Sequence, residues 1–403
     1  MASSFLKPSA ITAEAQRVLH NALPFTKNID KQHDKETEFG GQKRGSTLRV
    51  RLPNQYTVRS TWAINAQDQD EQSVSLVIGQ IRGVDMNFSD ADLALDINEF
   101  SKRFISPAIK TLASQVDSYN FSQAYKAVYN SAGTAGTTPN TALIWLQGGQ
   151  KLNETATPED DRVAVINPAA QASTVSGLST LFHASSALEK QYLKGKMGNA
   201  LGFEWFMSQN VPNHTCGTRS GTILVDDDSA TNATQGSTTI HLDGFGAATQ
   251  TLTIGDVFTV AGVYAVNPQT KQSTGSLQQF VVTAAFAAAS SEGDVTVSPA
   301  MYTTGALQNI DAFPVSEATV TVIGTASLVY PQNMVFHPEA FTFATANLEM
   351  PADVSFKSQM AVDGINMRIL RQYDINNANY PCRIDIFFGF LAQRPELACR
   401  LWG

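Results

Sequence analysis

The stretch FHPEAFTFATANLEMP, residues 336–351, decides between a catalytic and an architectural reading of the chain. With Pro381 and Cys382, its His337 and Glu339 make the opening of a zinc deaminase signature, H-x-E followed by P-C-x-x-C. That chemistry needs a second cysteine at position 385, where the chain has Asp385 inside the strand-like run CRIDIFF. The stretch has a simpler explanation. Pro338 suits the first turn of a short helix, Glu339 lies near that helix's positive end, and Phe336, Phe341, Phe343, Leu348 and Met350 are packing residues. Residues 336–351 therefore read as a short helix and a strand by which the chain re-enters its main body.

What it re-enters from is set apart by charge. Residues 222–327 carry nine acids (Asp226, Asp227, Asp228, Asp243, Asp256, Glu292, Asp294, Asp311 and Glu317) and one base, Lys271, a net of −8. The whole chain of 403 residues is also −8, so everything outside that block is balanced, 27 bases against 27 acids. The block holds short β-runs, TTIHL, QTLTI, DVFTVAGVYAV, LQQFVVTAAF, DVTVSP and ATVTVIG, separated by Gly, Asp, Asn and Pro, the pattern of a small barrel or sandwich. Asp226 to Asp228 open like a calcium loop but lack its later Gly and Glu, and read as a solvated acidic turn.

The first half is organised differently. Residues 9–23 have a helical apolar stripe behind Ser9. Leu48, Val50 and Leu52 alternate with Arg49 and Arg51, and Tyr56, Val58, Ser60 and Trp62 continue the period of two. From Lys43 to Arg59 there are five bases and no acid. With SVSLVIGQI following a polar tip, residues 39–81 are expected to form a β-arm that doubles back. Ser89 and Asp92 make a capping box, and Pro107 either kinks the helix or restarts it with Ser106 as the new cap. If helix persists to about Val128 it spans on the order of 60 Å, a spine. SAGTAGTTPN, 131–140, is expected to be a loop, residues 168–197 two helices, and INMRILRQYD and CRIDIFFGFLA the last clear strands.

Function classes narrow accordingly. The 43% hydrophobic and 16% charged composition is that of a folded protein long enough for several cores. No run approaches the roughly 18 apolar residues of a membrane helix, and the N-terminal segment lacks a secretion signal, so the expected compartment is a cytoplasm. Cys216, Cys382 and Cys399, three and widely spaced, suit buried thiols rather than a disulfide framework. His214 and Cys216 read as core or loop residues, not ligands. No phosphate loop, nucleophile elbow or acid–base arrangement is present, so no enzyme, metal or cofactor is expected.

In order, helix, doubled-back arm, spine helix, mixed domain, acidic β-module and return strands resemble the major capsid (coat) protein of tailed double-stranded DNA bacteriophages, specifically the short-tailed-phage coat family with an inserted β-domain. The segments that carry the likeness are LRVRLPNQYTVR, DLALDINEFSKRFISPAIKTLASQVD, GNALGFEWFMSQNVP, IGDVFTVAGVYAVNPQTKQSTGSLQQF, NMVFHPEAFTFATANLEMP and RPELACRLWG.

The resemblance implies an α+β fold of the tailed-bacteriophage/herpesvirus major-capsid type: N-terminal arm 1–38, extended β-arm 39–81, first part of the spine-helix domain 82–150, first part of the axial domain 151–221, inserted barrel-like β-domain 222–327, and return segments 328–403. It implies pentamers and hexamers closing an icosahedral shell, with a scaffolding protein, a portal protein and weakly held double-stranded DNA as partners. Assembly would take place in the bacterial host cytoplasm, and the shell would later expand. Candidate inter-subunit contacts are Lys43, Arg44, Arg49, Arg51, Arg59 and Trp62, and Asp226, Asp227 and Asp228 are the candidate acidic surface of the insert. The rival reading is a phage or surface binding protein that uses the β-module to hold a glycan or receptor.

Overall fold

A computed structural model describes residues 23–31, 47–64, 66, 72–89, 106–178, 199–226, 232–247, 249–362, 365–377 and 379–402. The expected helix at 9–23, the N-terminal half of the spine helix, the second helix of 168–197, Lys43, Arg44, Asp227 and Asp228 lie outside these residues, apart from Leu23 at the end of the first. The chain divides into two compact units. One comprises residues 1–50, 73–121 and 341–393, and the other residues 51–72, 122–340 and 394–403.

The first unit is organised by the strand Asn379–Ala392, which pairs antiparallel with Gln80–Ser89, Ile365–Arg371 and Phe341–Thr345, while Phe356–Val362 adds to Ile365–Arg371. Cys382, Ile384, Ile386 and Phe388 are buried at alternate positions, the strand period that puts one face in the core. Asp385 is buried on the other face, where Arg368 and Arg383 hold it at 2.7 and 2.6 Å. A side chain at Gly83 would place its Cβ 2.6 Å from an Asp385 oxygen, so this strand pairing needs glycine there.

Helix α1, Ser106–Ala127, buries Ile109, Leu112, Ala113, Val116 and Phe121, an i, i+3, i+4 stripe. Its 22 residues cover about 33 Å at 1.5 Å per residue. Asp117, buried in that stripe, accepts the backbone N–H groups of Phe25 and Thr26 and the Thr26 hydroxyl at 2.9–3.2 Å. Phe25 stacks on Phe121 at 4.6 Å, fixing residues 23–30 to the helix.

In the second unit, a six-stranded mixed sheet runs in the order Ser131–Ala132, Ala398–Leu401, Asn333–Phe336, Val163–Ile166, Phe203–Met207, Asn199–Ala200. Helix α2, Ala142–Glu154, covers it with Trp145 and Leu152. The sequence gives little sign of α2 because Gly148 and Gly149 interrupt it. Packing accounts for the first, since a Cβ on Gly148 would come within 2.8 Å of a Leu401 methyl. Helix α3 is Pro168–Leu178.

Residues 223–322 fold around a separate core, including Ile240, Leu242, Phe258, Val260, Phe280, Val282, Val295 and Val297. Its sheet order is Val320–Val322, Val257–Val266, Ser273–Val282, Gly293–Met301, Ser237–Asp243, Leu224–Val225. The chain enters and leaves through the paired strands Asn213–Thr215 and Val329–Pro331, with His214 opposite Tyr330.

Two expectations for the arm need correction. Residues 52–62 are not a strand: among the described residues of the arm Thr47–Arg51 pairs with Ser73–Val77, and Leu52 N–H still reaches Gln72 O at 2.9 Å. Pro53 removes a ladder donor, and beyond it Arg59 donates instead to the carbonyls of Thr61, Trp62 and Ala63, curling the tip. The expected strand 73–81 breaks at Ile78–Gly79, after which Gln80–Ser89 joins the main sheet. The backbone before the break is packed tightly, as a Cβ on Gly389 would lie 2.5 Å from Val77 O.

Candidate functional site

Two features stand out: the arm tip and a buried polar joint between the acidic module and the rest of its unit. At the base of the arm, Val50, Leu76 and Ile78 form an apolar cluster with Ala344. Further out, Val58, Trp62 and Ile64 are 95%, 103% and 86% exposed, and Tyr56 is also exposed. Arg49 and Arg51 are exposed on the Thr47–Arg51 strand. Arg59 is exposed too, but its guanidinium serves the tip's own carbonyls at 2.5–3.1 Å. Of the sequence-derived arm candidates, Arg49, Arg51 and Trp62 are thus presented outward, while Arg59 organises the turn that presents Trp62.

The joint was not foreseen from the sequence. Arg400, on the last strand, is completely buried, and among the described residues it hydrogen-bonds to backbone carbonyls and the Gln332 amide rather than to a carboxylate. Its Nε and Nη2 donate to Val128 O at 2.9 and 2.5 Å, Nη1 donates to Gly255 O at 2.7 Å, and the ring of Tyr125 lies 5.6 Å from its Cζ. Burial pulls its pKa down to about 10. The cation satisfies a carbonyl just past the C-terminus of α1, where the helix dipole favours positive charge. It ties that point to Gly255, at the start of a module strand.

Next to it, Asp256 is buried and fully used. One oxygen meets His214 Nε2 at 2.9 Å, and the other accepts Gly217 N–H, Thr253 N–H and the Thr253 hydroxyl at 2.8–3.2 Å. Burial pushes its pKa up, but these hydrogen bonds outweigh it and the net shift is downward. His214, Cys216 and Asp256 lie close enough to share a metal ion. Both carboxylate oxygens are already engaged, however, and Arg219 and Arg400 add positive charge nearby. Burial lifts the Cys216 thiol to about 11, the state of a packed thiol rather than a reactive one.

Two further contacts knit the module to its unit. Ser131 N–H donates to Gln279 Oε1 at 2.6 Å while Gln279 Nε2 returns a bond to Ser131 O at 3.0 Å. Asn267 Nδ2 donates to Glu154 O at 3.1 Å, at the end of α2.

The opening stretch behaves as architecture. Pro338–Ala340 is a single 3-10 turn leading into Phe341–Thr345. Arg394 bridges Glu339 at 3.3 Å and Glu396 at 3.0 Å, clasping this turn to the one at Pro395–Leu397. His337 has its pKa lowered by burial, and Cys382 is a buried thiol pushed up to about 11. Of the acidic candidates, Asp226 is half-buried at the end of its strand. Among the described residues, no helix is long and apolar enough to cross a membrane.

The chain belongs to the P22 coat protein family: the family model described as "P22 coat protein - gene protein 5" matches residues 1–403. It is a structural subunit of a phage capsid. No curated protein matches the sequence. Among solved structures, one from Mycobacterium phage Che8 is 13% identical with a TM-score of 0.45, covering 93% of this chain and 89% of that one. The capsid of cyanophage P-SCSP1u is 11% identical with a TM-score of 0.45, over 89% and 84%. The mature capsid of bacteriophage PhiM1 is 10% identical with a TM-score of 0.42, over 89% and 82%.

Proposed function

We propose that this coat subunit closes an icosahedral shell through pentamers and hexamers in which the arm, residues 39–81, lies across a neighbouring copy. The observation that carries this reading is the arm tip. Val58, Trp62 and Ile64 leave about a whole side chain each in water, an arrangement that is favourable only when another surface covers them. Arg49 and Arg51 then meet carboxylates on the neighbour, and Lys43 and Arg44 extend the same basic run. Each such pair is worth little alone, about 0–1 kcal/mol, so the shell depends on their repetition by symmetry.

In the same reading, residues 222–327 are the inserted β-domain, facing outward, with Asp226, Asp227 and Asp228 on its acidic surface, away from packaged double-stranded DNA. A scaffolding protein and a portal protein complete the assembly set, assembly takes place in the host cytoplasm, and the shell expands as DNA enters. The glycan-binding alternative has less support. Of the module's aromatics that could stack on a sugar, Phe245, Phe258, Phe280 and Phe286 are core residues and Phe313 packs against that core, which leaves Tyr264 exposed and Tyr302 half-buried.

The test is charge reversal. Arg49→Glu combined with Arg51→Glu is expected to abolish particles on sucrose gradients while circular dichroism still reports a folded subunit, because both side chains are exposed. Normal particle yield from the folded double variant would remove the arm from the assembly interface.

A further inference from the structure

Asp226, His241 and Glu292 meet on one edge of the acidic module. Each offers a ligand atom, and the three atoms lie within 4.8 Å of one another. His241 is fixed from two sides. Its strand, Ser237–Asp243, pairs it directly with Asp294, and Nδ1 meets Asp294 Oδ1 at 2.6 Å. Asn232, buried, donates to Asp226 O at 2.7 Å and accepts His241 N–H at 2.9 Å, holding the two backbones together. With Nδ1 engaged, Nε2 points toward Asp226 Oδ2 across 3.6 Å. That gap is too wide for a hydrogen bond. Two ligands on one tetrahedral cation, with bonds of about 2.0–2.2 Å, stand about 3.4 Å apart.

We propose that Asp226, His241 and Glu292 bind one divalent transition-metal cation per subunit, of which Zn2+ is the type, with Asp294 orienting the imidazole from behind. The arrangement has the carboxylate–histidine–metal form in which the ring nitrogen away from the metal is held by an acid. An imidazole with two carboxylates suits zinc rather than calcium, which favours all-oxygen shells of six or more ligands. Charge points the same way: the module carries nine acids against one base, so a cation is drawn to it. The ion would join residue 226, at the end of one edge strand, to the Ser237–Asp243 strand and to the turn before Gly293–Met301. Neutral imidazole is the binding form. Protons therefore compete with the metal for the imidazole nitrogen.

The test uses the full-length subunit, stripped with EDTA and titrated calorimetrically at pH 7.5 with Zn2+ and, separately, with Ca2+. One Zn2+ per chain is expected, bound at least tenfold tighter than Ca2+ and weakening as pH falls through the imidazole range. His241→Ala should abolish it, and Asp294→Asn should weaken it roughly 10–100-fold, as loss of an orienting carboxylate does. Glu292→Gln, at a surface turn, supplies the same loss if His241→Ala does not fold. No saturable Zn2+ binding would reduce the cluster to an imidazolium held between acids and overturn the proposal. Binding that is equal for both ions and indifferent to His241→Ala would overturn it as well, as diffuse attraction by an acidic surface.

Discussion

Replacing Arg400 by methionine removes a fully buried cation from the joint between the module and the C-terminal strand while keeping most of the side chain's volume. Two backbone carbonyls, Val128 O and Gly255 O, lose their partner inside a site from which water is excluded. Each orphaned buried acceptor costs about 1–3 kcal/mol. Against that, a guanidinium no longer has to be desolvated, a cost visible in the fall of its pKa to about 10. The net is a loss of about 2–4 kcal/mol. Urea unfolding of the unassembled subunit, followed by tryptophan fluorescence and circular dichroism, reads it directly. Arg400→Lys keeps the charge but not the planar fork that serves two carbonyls at once, and is expected to fall between the two. If Arg400→Met lies within about 1 kcal/mol of the parent, the carbonyls have found other donors and the joint does not depend on this cation.

Asp256 makes a pH test of the same joint. Its folded pKa is lowered, so its contribution is present above the ordinary carboxylate value of 3.8 and is lost as pH falls through the lower folded value. Thermal midpoints scanned across acid pH should therefore drop for the parent, and Asp256→Asn, starting less stable, should drop less; parallel curves would mean the carboxylate is not coupled to folding. Gly389→Ala forces a Cβ to within 2.5 Å of Val77 O, a backbone atom that cannot swing away. Differential scanning calorimetry should find a loss of about 1–3 kcal/mol, whereas an unchanged midpoint would mean that the Ser73–Val77 strand shifts freely.

How much of this was legible in the sequence follows from which contacts are local. The strands at 237–243, 257–266 and 293–301 lie where the apolar runs place them, and 273–282 overlaps its run; burial alternates cleanly along 237–243, while 257–258 and 280–282 are buried at successive positions. Ala127 ends α1 close to the position that the end of the apolar stripe indicates. Helix α2 was hidden because two glycines lower its helix propensity, and Gly148 is set by close packing against Leu401. The arm tip was misread as a strand because period two marks only a strand with a ladder partner, and among the described residues 53–62 join no strand ladder. Arg400 gave no signal at all: nothing in ACRLWG distinguishes a buried cation from an exposed one, since its partners are carbonyls 145 and 272 residues away.

The central claim is that the exposed arm tip is an assembly surface and not part of the subunit's own fold. Negative-stain electron microscopy of the parent protein and of Trp62→Ala, expressed in parallel, tests it most directly. Closed shells from the parent, with folded but unassembled or aberrantly assembled Trp62→Ala subunits of unchanged thermal midpoint, are the expected result. Shells of the same size and yield from both proteins would contradict it.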